Sequence, residues 1–401
     1  MRKLAIVGGD PIRSKFLVYG CPDHGSGELE AVKKVIESGW WSTGKETLSF
    51  EGEIKAYVGS EYAVAANSCT ALLHLSLLVN GISQGDEVIT TPMTFCATTN
   101  VIEHIGAKVV LADTVEGGFH IDVNDIERKI SPKTKAIMPV HFAGYPANIE
   151  AINNLAKKYS LAVIEDAAHA LGASLSGRKI GNSNNSVVFS LYVTKNVAAG
   201  EGGVLTTNNS THIDRIRSLG LHGMSRGAWA RYTKSGDLHY DILEPGFKYN
   251  MQDINAALAR VQLAKVDEFT RIRTELAHRY FSELADVEAI DLPSSLLNRD
   301  GQEVCTWHIF PIRINLGILT CDRDDFMRAM IAENIGVATH YRPIYAYTYY
   351  RNKYNYDSSQ FPHASAMENN LFSIPLNTSM SYGDQDDVIR ALRDVVAHYT
   401  I

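Results

Sequence analysis

From about residue 60, short runs that are apolar at nearly every position alternate with stretches of helical periodicity. Tyr62-Ala63-Val64-Ala65-Ala66 reads as a strand, and Ala71 to Asn80 as an apolar helix closed by Gly81. Further strands are expected at Glu87 to Thr91, stopped by Pro92, at Lys108 to Asp113, at Ala136 to Val140 and at Ala162 to Asp166. Continuous rather than alternating apolarity, with helices between the runs, predicts strands buried on both faces of a largely parallel sheet. After Asn250 the pattern changes. Met251 to His278 keeps helical periodicity with few breakers, as one long connecting helix would. From about residue 300, segments such as Trp307 to Ile314 predict a smaller α+β unit with antiparallel strands. The expected division is a large α/β unit over 1–265, the N-terminal segment included, and a small C-terminal α+β unit over 266–401. The first fifty or so residues carry the weakest pattern and fit against either unit.

Parallel sheets bind ligands beyond the carboxyl ends of their strands, and two ionisable residues fall there. Val163-Ile164-Glu165-Asp166 ends in a carboxylate, and Phe189-Ser190-Leu191-Tyr192-Val193-Thr194-Lys195 follows with a lysine 29 residues after Asp166. Strand, crossover and strand fit that spacing, so Asp166 and Lys195 can reach one site. A lysine that forms a Schiff base, with a carboxylate that keeps a pyridinium nitrogen protonated, is the pair that pyridoxal 5'-phosphate (PLP) chemistry needs. Taken singly, Lys195 has a bland alternative as a solvated charge, Asp166 as a turn former or cap, and His169 as a satisfied histidine. Their conjunction beside the cluster Gly200-Glu201-Gly202-Gly203, whose backbone can approach a ligand closely, favours the chemical alternative.

The turn Asn67-Ser68-Cys69-Thr70-Ala71 joins a predicted strand to a predicted helix, which makes it a phosphate cradle or a plain capping motif. Phe95, after Thr91-Pro92-Met93-Thr94, is placed to stack on a flat cofactor or to fill the core. Trp40-Trp41 is expected to serve packing. A net charge of −7, with 45% hydrophobic and 21% charged residues, fits a soluble globular protein and gives no support for nucleic acid or an anionic membrane as partner. The five cysteines are widely spaced and form no CxxC pair, which predicts neither disulfide framework nor metal site but reduced thiols. No stretch resembles a signal peptide or a span of about 20 apolar residues, so a cytoplasmic location is expected.

These segments together resemble the DegT/DnrJ/EryC1/StrS family of PLP-dependent sugar aminotransferases, of the aspartate aminotransferase (fold type I) superfamily. The resemblance rests on Gly39-Trp40-Trp41-Ser42-Thr43-Gly44, Gly85 to Phe95, Pro139-Val140-His141-Phe142-Ala143-Gly144, Ile164 to His169, the Lys195 segment, and Gly246-Phe247-Lys248-Tyr249-Asn250-Met251-Gln252-Asp253. It runs from about residue 20 to the C-terminus. It implies that Lys195 forms the covalent link to PLP and shuttles protons, that Asp166 pairs with the pyridine nitrogen, and that His169 lies against the ring or its hydroxyl. Thr70, Ala71 and Ser190 would hold the phosphate, and Phe95 would stack on the ring. Asn250 would reach the phosphate of a neighbouring subunit, so the resemblance implies a homodimer with shared sites. Trp307, His308, His340, Tyr341 and Lys248 match positions near the sugar.

The implied reaction is transamination of a keto-sugar, nucleotide-linked and aminated at its 4-keto carbon, with L-glutamate as amino donor. The basic residues His222, Arg226, Arg231, Lys234 and Lys248 suit a nucleotide diphosphate or a sugar-acid carboxylate, and equally a solvated loop. A free keto-sugar acid is therefore the first alternative substrate. A PLP-dependent sugar dehydratase is disfavoured because family members of that kind carry His where Lys195 stands. A non-catalytic PLP- or sugar-binding regulator is disfavoured by the complete Lys195, Asp166 and His169 set.

Overall fold

The computed structural model describes residues 2–225, 239–294 and 303–400. Its centre is a seven-stranded sheet made from β1 (Tyr62–Ala66), β2 (Glu87–Thr90), β3 (Lys108–Leu111), β4 (Thr134–Met138), β5 (Ala162–Asp166), β8 (Ser186–Ser190) and β9 (Gly203–Thr207). Between β5 and β8, the two-residue strands β6 (Ser174–Leu175) and β7 (Arg178–Lys179) form a separate hairpin. The spatial order is β1-β9-β8-β5-β4-β2-β3. Strands β3, β2, β4, β5 and β8 pair in parallel, and β9 runs antiparallel to both β8 and β1. Six strands therefore share one direction, and their carboxyl ends line one edge. Asp166 pairs in register with Val188, and Ser190 with Gly203 at the start of the reversed strand.

Alternate strand residues supply opposite faces, as the pleat requires. Val88, Ala136, Ile164 and Val188 enter one core cluster, whereas Ile89, Ile137, Val163 and Val187 enter those across the sheet. The helix Cys69–Val79 packs in the first cluster and has nine buried residues, with Thr70 and Leu78 as its only two not buried. Its near-uniform apolarity is what an interior helix needs. Two other expectations shift in detail. The periodic stretch after Met251 is two helices, Asp253–Leu263 and Val266–Glu283, and not one. No proline or glycine marks the break. It coincides with Glu28, whose Oε1 accepts from both Gln262 Nε2 and Lys265 Nζ at 2.7 Å.

A three-stranded antiparallel sheet follows, ordered β10 (Ile290–Asp291), β11 (Phe310–Ile314), β12 (Leu371–Ile374), and the helix Tyr382–Tyr399 packs against the helices Val266–Glu283 and Arg323–Ala332. The N-terminal stretch, expected to go with residues 1–265, packs on this later unit. The buried Glu333 carboxylate accepts the amides of Ala5 and Ile12 at 2.8 Å each and pairs with Arg2, and Leu17 bridges Ile335. Leu4 is the one buried apolar residue before Val35 among the described residues, so a buried carboxylate anchors this stretch more than hydrophobic pattern does. Among the described residues no helix is long and apolar enough to cross a membrane.

The segment Val304–His308 threads from the later unit back across the large sheet's loops. Val304 bridges Ser174, the Thr306 amide donates to Gly144 O at 3.0 Å, and the His308 amide donates to Ala143 O at 2.9 Å. Gly144 sits at φ +89°, where a Cβ would lie 2.0 Å from Thr306 Oγ1 and 2.7 Å from His169 O. Gly144→Ala is accordingly expected to cost about 2–4 kcal/mol through strain and overpacking. Denaturant unfolding measures this; a variant within about 0.5 kcal/mol of the parent would show that the crossing is not tight.

Candidate active site

The sheet's carboxyl edge gathers residues from five strands and from the crossing segment. Asp166 closes β5 and is buried. Its Oδ2 accepts from Thr98 Oγ1 at 2.8 Å, and its Oδ1 from the Ala168 amide at 3.1 Å. Thr98 is itself held by Thr94 Oγ1 at 2.7 Å. Burial pushes the Asp166 pKa up, opposed by these hydrogen bonds and by the positive charge of Lys195. Lys195 follows β8 in a turn in which its amide donates to Tyr192 O at 2.8 Å. Burial lowers its pKa to about 8, while the charges of Cys69 and Asp166 act the other way. The amine finds no carboxylate partner among the described residues; its one hydrogen-bond neighbour is His308 Nε2 at 3.4 Å.

His169 stands between these groups and a wall of aromatic rings. Its Nε2 meets Tyr341 Oη at 3.0 Å, and its ring lies 4.3 Å from that of His308 and 6.0 Å from that of Tyr341. The Nδ1 atom is buried with no partner. Burial, then the nearby charge of Lys195, holds His169 well below the usual histidine range. Phe95, at the start of the helix Cys96–His104, keeps 58% of its surface open and sits 6.0 Å from the Tyr341 ring. His340 bonds Ser373 Oγ through Nδ1 at 3.0 Å, and burial lowers its pKa to about 4.

A phosphate-sized cradle adjoins at the start of the Cys69–Val79 helix. Ser68 Oγ caps the Ala71 amide at 3.1 Å, and the Cys69 and Thr70 amides are left for an external acceptor. Gly203 lies so close that a Cβ on it would be 2.5 Å from the Cys69 nitrogen. Its strand partner Ser190 thereby stands beside the same helix end, with its Oγ accepting from the Tyr192 amide at 3.3 Å. Asn250 pairs its backbone with Ala66, and its Nδ2 donates to Thr43 Oγ1 at 2.7 Å.

Not every residue named from sequence joins this group. Trp307 is buried among Phe281 and Phe310, with ring centroids 5.9 and 5.8 Å away, and is core rather than a sugar contact. Its φ of +47° turns the chain so that His308 faces the site while Trp307 faces the interior. Lys248 is exposed, and what it brings to the neighbourhood is a backbone carbonyl, accepting from Asn67 Nδ2 at 3.3 Å. Arg226, Arg231 and Lys234 lie outside the described residues; His222 is exposed beside Phe247. Thr98 and Asn196, which brace Asp166 and His308, escaped the sequence argument. The available signals were the i, i+4 spacing of Thr94 and Thr98 and the adjacency of Asn196 to Lys195.

The arrangement fits PLP on its own terms. It supplies a buried carboxylate, an amine without a counter-ion, an orphaned imidazole nitrogen, an open aromatic face and a helix terminus with free amides. Residues 22–393 match the model of the DegT/DnrJ/EryC1/StrS aminotransferase family. The chain is 41% identical over 385 residues to the spore coat polysaccharide biosynthesis protein SpsC of Bacillus subtilis, covering 96% of this chain and 98% of SpsC. Spr1654 of Streptococcus pneumoniae superposes with a TM-score of 0.87 in its PMP-form, at 29% identity, over 95% of this chain and 99% of that one. Its PLP-form gives 0.86 at 28% identity, over 96% and 99%. Helicobacter pylori PseC, an aminotransferase involved in the biosynthesis of pseudoaminic acid, gives 0.86 at 26% identity, over 96% and 100%.

A lysine whose pKa falls from 10.5 to about 8 on folding destabilises the cofactor-free protein at neutral pH. Between those two values the unfolded chain binds more protons than the folded one, so stability rises with pH through that window. Lys195→Met should therefore raise Tm by a few degrees at pH 7, and the gain should fade as pH approaches 10. A scan of Tm against pH in protein freed of PLP tests this. An unchanged or lowered Tm at pH 7 would mean that the amine is well solvated.

Proposed function

This chain belongs to the DegT/DnrJ/EryC1/StrS family of PLP-dependent aminotransferases, and we propose that it aminates the 4-keto carbon of a nucleotide-linked sugar, with L-glutamate as donor. The observation that carries the reading is the pair of a buried, hydrogen-bonded Asp166 and a Lys195 amine with depressed pKa and no counter-ion among the described residues. The sugar class is supported by relatives: SpsC is named for polysaccharide biosynthesis and PseC for pseudoaminic acid.

PLP, when bound, supplies an electron sink for the pair left on a carbon that loses its proton. Asp166, braced by Thr98, keeps its carboxylate against the pyridine nitrogen and holds a proton there. The Cys69 and Thr70 amides and Ser190 would receive the phosphate, the Ala71 amide being taken up by Ser68 Oγ at 3.1 Å, and Phe95 offers its open ring. His169 presents Nδ1 towards the ring or its hydroxyl. Lys195 Nζ would hold the cofactor and, as a free amine, would take a proton from the donor's α-carbon and deliver one to the sugar carbon. A pKa of about 8 leaves a usable fraction of neutral amine near physiological pH. Tyr341, His308 and His340 form the rest of the wall on the sugar side.

The working unit is proposed to be a homodimer. Leu243, Trp41 and Leu48 are more than half exposed, and a cavity of about 820 Å³ is lined by Leu48, Leu72, Leu243 and Asn250 among others. A second copy covering this face would bring Asn250 to its neighbour's phosphate.

The reading is tested by incubating the enzyme with 15N-labelled L-glutamate and a nucleotide-linked 4-keto sugar. The label should appear on the sugar; 2-oxoglutarate without labelled sugar would send the search to other acceptors. Asp166→Ala should cut turnover by several orders of magnitude because the ring can no longer hold its proton. An unchanged rate removes Asp166 from the mechanism. Sedimentation should give a dimer or larger symmetric assembly, and full activity in a monomer would contradict the shared site.

A further inference from the structure

We propose that His308 is a positioning residue for Lys195: it is held neutral with its proton on Nδ1, and its Nε2 accepts a hydrogen bond from the lysine amine. The inference rests on the reading of Lys195 as the reactive amine. It begins with Asn196. The Asn196 Nδ2 donates to Thr306 O at 3.1 Å, which fixes the orientation of the side-chain amide. Its Oδ1 then faces His308 Nδ1 at 3.0 Å. An amide oxygen only accepts, so Nδ1 carries the proton, and a neutral ring leaves a lone pair on Nε2. Lys195 Nζ, 3.4 Å away, is the donor to that lone pair.

The ring has little freedom to do otherwise. Its backbone is fixed by the His308 amide to Ala143 O, and Arg273 Nη1 donates to the carbonyls of Trp307, His308 and Leu376 at 3.1, 3.3 and 2.8 Å. Arg273 is buried and has no carboxylate partner among the described residues, so it brings a positive charge to the back of the ring. Burial and then the charge of Lys195 disfavour a second proton on His308, and His169 and His340 also face it from the other elements. On the lysine's side, Asp166 is the group whose charge favours the ammonium, and Cys69 faces it as a thiol that burial pushes well above its ordinary pKa.

A satisfied core histidine would show the same burial. The difference lies in the partner: among the described residues Lys195 Nζ has no other hydrogen-bond acceptor, so the imidazole alone fixes where the amine points. With one N–H committed to Nε2, the lone pair of the neutral amine is directed away from His308. The two units of the molecule meet in this contact, since Lys195 follows β8 and His308 rides on the crossing segment.

The sign of a pKa change tests the proposal. Lys195 acetylation by acetic anhydride is followed by mass spectrometry against pH in the full-length, PLP-free protein, where the midpoint should lie near about 8. In His308→Phe the ammonium loses its acceptor, and the midpoint should fall by about one pH unit. His308→Gln, whose Oε1 can accept, should restore most of it. A midpoint that rises in His308→Phe means that the imidazole is a cation, and an unchanged one means that the contact does no positioning; either overturns the proposal. A third measurement needs no variant. The 15N spectrum of the wild-type His308 ring at pH 7.5 should show a protonated Nδ1 and a bare Nε2, and the opposite tautomer or a doubly protonated ring refutes the assignment. Failure of the functional reading looks different: borohydride would trap no PLP on Lys195 while these midpoints behaved as stated.

Discussion

Removal of water from one edge of the sheet is the constraint on which the remaining chemistry depends. Asp166 and Lys195 carry opposite charges there, yet neither is discharged by an ion pair with the other. Burial raises the acid's pKa and lowers the base's, so the two move towards each other. Each is kept usable by a small, specific support: Thr98 and the Ala168 amide favour the ionised carboxylate against burial, and His308 gives the amine an acceptor. A site so arranged costs stability when empty and gains it back when a cofactor satisfies the groups.

Topology delivers those groups to one place. Six strand ends face the same way, and the reversal of β9 brings Gly203 instead of a carboxyl end against the Cys69–Val79 helix. The close approach there puts Ser190 beside the helix terminus. The later unit then contributes Tyr341, His340 and His308, the last carried across by hydrogen bonds of its segment to Ala143, Gly144 and Ser174. The site is therefore composite, and its geometry depends on Gly144 and Thr306 as much as on the residues that do the chemistry.

Much of this was legible in the sequence because it follows from runs of apolar residues. Strands β1 and β5 occupy the predicted residues, and Asp166 and Lys195 could be placed at strand ends before any coordinate was known. What escaped was set by tertiary contacts without local signal. The helix break at Ala264 has no breaker residue and coincides with the reach of Glu28. Trp307 and His308 are neighbours in sequence but point apart because of one left-handed residue. The N-terminal stretch is anchored by the carboxylate of Glu333, more than 300 residues away, which hydrophobic periodicity cannot reveal. Thr98 and Asn196 are ordinary polar residues until the groups they brace are known.

The central claim is that Lys195 is a water-poor amine poised, with Asp166 opposite, to run PLP chemistry between an amino acid and a sugar. Its most direct test is the near-ultraviolet and visible spectrum of the purified protein with PLP, before and after L-glutamate. A protonated Schiff-base band that is lost in Lys195→Ala, and that glutamate converts to the pyridoxamine form, is the result predicted. A protein that develops no such band, or develops it equally without Lys195, would contradict the account at its root.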